Sequence, residues 1–108
     1  MAKIIDDKVF QEFVSIVIPS RNFDSLLKKC VTEIRKLYNN VEIIIVLDEI
    51  DYKNDCCNNI IILKSLNTNI SSKRNLGVKY SNKKYIAFID SDAYPKRGWL
   101  EEAIMFME

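Results

Sequence analysis

Four short apolar runs constrain this chain most: Val14–Ile18, Val41–Leu47, Ile60–Leu63 and Tyr85–Ile89, interrupted only by Ser15 and Glu42. Each is too short for a buried helix and too continuous for a strand with one wet face. They read as strands covered on both sides, Tyr85–Ile89 included. After the first run, Leu26, Leu27, Cys30, Val31, Ile34, Leu37 and Tyr38 recur at steps of three and four. That spacing predicts an amphipathic helix of about four turns, capped by Asn22 or Asp24 and stopped at Asn39-Asn40. Ser71 or Ser72 opens a second helix running to about Ser81, with Leu76 and Tyr80 on its inner stripe. A third follows Pro95 through Trp99, Leu100, Ala103, Ile104 and Met107. Strands alternating with helices in this order predict an α/β sheet with helices on both faces.

Composition narrows the chemistry. An apolar share of 48% suffices for one compact core within 108 residues. Sixteen basic and fifteen acidic side chains leave a net charge of +1, so no basic field exists to hold a nucleic acid. No apolar run approaches the ~20 residues of a membrane span, and the start lacks a signal-peptide pattern, so a soluble, cytoplasmic protein is expected. There is no histidine, and Cys30, Cys56 and Cys57 have no zinc-like spacing. Reduced thiols follow, with Cys56 and Cys57 inert. Any reaction must run on carboxylates, a metal, Arg, Lys or backbone groups. Gly77 and Gly98 are the only glycines, which excludes glycine-rich phosphate loops.

The fourth run ends at Asp90-Ser91-Asp92, with Pro95 close behind. In an extended backbone, both carboxylates point to the same side, because side chains alternate with period two. Ligands of open α/β sheets bind at the carboxyl ends of strands. Two acids there suit Mg²⁺ or Mn²⁺, which fill their remaining positions with phosphate oxygens and water. The alternative is that both acids cap a turn or face water.

Taken in order, five segments resemble the nucleotide-sugar-binding half of a family 2 glycosyltransferase with the GT-A fold. They are Val14–Asn22, Glu42–Asp48, Lys73–Gly77, Ile89–Asp92 and Pro95–Leu100. The resemblance implies a Rossmann-like, mainly parallel sheet and a glycosyltransferase that uses a nucleoside diphosphate sugar, a UDP-sugar foremost, with Mn²⁺ or Mg²⁺. It implies that Pro19 and Asn22 border the base and that Asp48 accepts from a ring N–H. Arg74 would lie against the base or diphosphate. Asp90 would approach the ribose or the metal, and Asp92 would ligate the metal directly. Lys73, beside Arg74, reads as a solvated lysine, and Gly77 as the point where a helix packs closely on the sheet.

Two departures stand out. Leu47 occupies the first of two adjacent acid positions in the family, and Glu49-Ile50 replaces a Gly-Ser turn. The family's acceptor-binding half follows the Asp-x-Asp helix and carries the catalytic base of inverting members. The expectation is therefore a single partial domain, residues 1–108, truncated after the Asp-x-Asp motif and without an assignable catalytic base. A non-catalytic nucleotide-binding or interaction module of the same fold is the alternative. Self-association would cover apolar surface on the last helix.

Overall fold

Each apolar run becomes a strand. The computed structural model describes residues 12–49, 59–100 and 102. Strands β1 (Val14–Pro19), β2 (Glu42–Leu47), β3 (Ile60–Lys64) and β4 (Tyr85–Phe88) form one sheet in the order β3-β2-β1-β4. All three pairings are parallel. Helix α1 (Ser25–Leu37) joins β1 to β2, and α2 (Ile70–Tyr80) joins β3 to β4. The chain's first eleven residues, the expected loop with Cys56 and Cys57, and Ala103, Ile104 and Met107 of the expected third helix lie outside the described residues.

Period two divides the core. Ile16 and Ile18 of β1 cluster with Ile43, Ile45 and Leu47 of β2 against Leu27, Cys30, Val31 and Ile34 of α1. Val17, Ile44 and Val46 point the other way and meet Leu76 of α2. Helices thus cover both faces. Burial is complete only at the centre, however. Among the described residues β4 pairs with β1 alone, and Phe88 is 43% exposed. The two-sided burial expected of Tyr85–Ile89 is therefore corrected to partial cover, since within the described residues one flank of the strand has no neighbour. The polar interruptions pair with each other: Ser15 Oγ donates to Glu42 Oε1 at 2.7 Å and lies 2.8 Å from Ser81 Oγ.

Local chemistry sets the helix ends. Asp24 is the cap of α1, its Oδ1 accepting from Leu27 N at 2.9 Å. At the other end Arg35 Nη1 donates to Val41 O at 2.7 Å, tying the helix to the start of β2. Tyr38, just beyond, accepts from the Leu100 backbone N–H at 3.0 Å through its hydroxyl. Leu100 is buried and Trp99 packs beside it, so both act as core anchors. In α2 the cap is Asn69, whose Oδ1 accepts from Ser72 N at 2.7 Å, rather than either serine. Tyr80 is exposed; Lys73 and Gly77 are the residues that α2 buries.

Gly77 fixes how closely α2 approaches. A Cβ there would lie 2.5 Å from Val17 Cγ1 and 3.0 Å from Cγ2. Val17 is β-branched on a central strand and has little freedom to turn aside. Overpacking of this kind costs about 1–3 kcal/mol, against roughly 1 kcal/mol gained in helix propensity. Gly77→Ala is expected to lose stability in urea denaturation, and adding Val17→Ala to recover part of it. A single variant as stable as the parent would show that α2 can shift outward freely. Among the described residues, no helix is long and apolar enough to cross a membrane.

Candidate functional site

Parallel pairing puts the carboxyl ends of all four strands on one edge. A cleft of about 660 Å³ opens there, its walls including Pro19, Asn22, Lys73, Asp90 and Asp92. The turn after β1 is held from two sides. Ser20 N donates to Val46 O at 3.0 Å, and Ser20 Oγ donates to Asn22 O at 3.0 Å. Asp48 N reaches Arg21 O at 3.0 Å, so the ends of β1 and β2 are laced together.

Asp90 and Asp92 reach the cleft by a different route from the one expected. Strand β4 ends at Phe88, although Ile89 N still donates to Val17 O at 3.2 Å. Ala93 N then donates to Asp90 O at 3.0 Å, closing a tight turn over residues 90–93. The extended backbone that period two requires is absent here; the turn brings both carboxylates to one wall instead. Both are exposed, as a ligand site needs.

Cys30 lies beneath this turn, its Sγ 3.8 Å from Asp90 O. Burial, and then the charge of Asp92, push its thiol from 9.0 up to about 11. At pH 8 that lowers the thiolate fraction about a hundredfold, and burial blocks access as well. Iodoacetamide is expected to leave Cys30 unmodified in the native protein and to label it in urea, as read by peptide mass spectrometry. Rapid native labelling would mean that the turn opens readily.

The largest departure from expectation is Lys73. It is buried, not solvated: Nζ donates to Ser20 O at 3.0 Å and lies 2.5 Å from Asp48 Oδ1. Asp48 is thereby engaged from within the protein, and it does not itself line the cleft. Apart from this ion pair, its buried Oδ1 has no hydrogen-bond partner among the described residues. The sequence held one signal for this. Lys73 is four residues before Gly77, on the face that the glycine turns to the sheet.

Arg74 lies at the rim and does not line the cleft. Its Nη2 is 3.5 Å from Asp90 Oδ1, and its guanidinium lies 5.7 Å from the centre of the Phe88 ring. Both partners are substantially exposed, so this ion pair orients more than it stabilises.

The donor set suits one kind of metal site. No group of three His, Cys, Asp or Glu side chains converges among the described residues. A closed protein cage is therefore not formed by them. Two exposed carboxylates on a cleft wall match a hard cation that takes its other oxygens from water and phosphate.

Residues 15–108 match the family described as Glycosyl transferase family 2. The chain is 27% identical over 107 residues to Glycosyltransferase GlyA of Streptococcus pneumoniae, covering 91% of this chain and 15% of that protein. It is 28% identical over 116 residues to the minor teichoic acid biosynthesis protein GgaB of Bacillus subtilis, covering 96% of this chain and 13% of that one. The chain thus spans a small part of either relative's length. A crystal structure of S. aureus TarS 1–349 shares the fold, with a TM-score of 0.66, 20% identity, and coverage of 88% of this chain and 32% of that one. A GT-A-type α/β sheet and a family match running from β1 to the final residue agree: the chain belongs to glycosyl transferase family 2.

Proposed function

We propose that this chain forms the donor-binding part of a glycosyltransferase, taking a nucleoside diphosphate sugar together with Mn²⁺ or Mg²⁺. One observation carries the reading: Asp90 and Asp92 share a cleft with Pro19 and Asn22 at the carboxyl edge of the sheet. Asp92, joined by Asp90, would hold the cation. When bound, the cation offsets the negative charge that grows on the nucleotide as the sugar leaves it. Arg74 steadies Asp90 from α2 and adds a positive charge at the rim. Pro19 and the turn to Asn22 form a rigid wall for the base, since Pro19 has a fixed φ and Ser20 bonds across the turn. No residue of the chain is assigned as the base that would deprotonate an acceptor.

Isothermal calorimetry with UDP tests the reading. Binding is expected with Mn²⁺ and is expected to disappear when EDTA is added. Binding indifferent to EDTA would remove the metal from the proposal, and no binding under either condition would remove the donor site.

A further inference from the structure

The donor reading leaves one buried polar group of the cleft without a task. The Lys73 side chain is only 4% exposed, yet it forms part of the cleft wall. It stands in the first turn of α2, where the helix dipole disfavours a cation and the turn itself holds no acidic residue. Among the described residues, two contacts hold it there, a hydrogen bond to Ser20 O and an ion pair with Asp48 Oδ1. An ammonium carries three N–H groups, so these contacts occupy at most two and a third is left for an occupant of the cleft.

Charge decides what that occupant presents. Asp48 already offsets the ammonium, and a phosphate at the third N–H would face the Asp48 carboxylate behind it. A neutral carbonyl oxygen meets no such repulsion. The acids on the β4 turn are where a cation, and with it the diphosphate, would be held. The part of the nucleotide left for the ends of β1 and β2 is then the base. Resting on the donor reading above, we propose that Lys73 selects the base by donating to a ring carbonyl oxygen. Uracil and guanine offer an oxygen at their distal edge, where cytosine and adenine offer an amino group. A donor facing a donor leaves both unpaired, which is costly beside a side chain as buried as Lys73.

UDP and CDP differ at this edge and match in size, so they make the test. Calorimetry with Mn²⁺ would compare the wild type, Asp48→Asn and the double variant Asp48→Asn/Lys73→Met. The double substitution removes both charges together, leaving no lone buried ion, and circular dichroism checks its fold. The wild type is expected to prefer UDP by about tenfold or more, the size of one charged hydrogen bond. Asp48→Asn keeps the lysine and should keep the preference; the double variant should lose it. A preference that survives in the double variant, or is absent from the wild type, overturns the role of Lys73 and leaves the donor site standing. Loss of the preference in Asp48→Asn alone would transfer base selection to Asp48. Equal losses of UDP and inorganic pyrophosphate affinity in the double variant would make Lys73 a phosphate contact instead. If neither nucleotide binds the wild type with Mn²⁺, the donor reading falls and this inference falls with it.

Discussion

Lys73→Met is expected to lower folding stability by about 3 kcal/mol, the low end for breaking a buried ion pair. The side chain it removes is almost wholly enclosed, and Asp48 beside it is 23% exposed. Methionine fills similar space but leaves the Asp48 carboxylate without its counter-charge and Ser20 O without its donor. Partial contact of Asp48 with water keeps the loss from reaching the upper end. Asp48→Asn strands the cation instead and is expected to destabilise too. The double variant should recover most of the loss, because a neutral pair of similar volume owes no charge desolvation. Guanidinium denaturation of the four proteins measures the coupling directly. A Lys73→Met effect within about 0.5 kcal/mol, the range of surface substitutions, would mean that the lysine is not committed to Asp48.

Asp92→Ala is expected to weaken Mn²⁺-dependent UDP binding by about a hundredfold or more, since the cation would lose its direct protein ligand. Stability should barely change, because Asp92 is exposed and its removal strands no buried partner. Asp90→Ala should have a smaller effect on binding, and it also releases Arg74 from its 3.5 Å contact. Calorimetry of both variants, with melting curves as the fold control, separates the two acids. Undiminished affinity in Asp92→Ala would place the cation elsewhere or remove it from the site altogether.

Much of this molecule was legible one segment at a time. The strands announced themselves as apolar runs, and α1 announced itself as a stripe at steps of three and four, because those periods belong to the backbone. The position of the Asp90-Ser91-Asp92 pair was legible for a similar reason: it follows a strand, with one residue between. Its geometry was not. Period two presumed an extended chain, whereas the hydrogen bond from Ala93 N to Asp90 O makes a turn.

What the sequence by itself determined was therefore the four strands, the two helices between them, their order, and the acids that follow β4. Only the tertiary structure decided which strands are flanked on both sides among the described residues, and hence why Phe88 stands in solvent while Ile44 does not. It also decided the state of Lys73. Its spacing from Gly77 places Lys73 on the glycine's face of the helix, but whether that face is buried, and against what, depends on how α2 is rotated against β1. That rotation is set where Gly77 meets Val17, a contact between residues far apart in the chain. Local pattern can propose an element, but the partner of a buried charge is chosen by packing, which no single segment encodes.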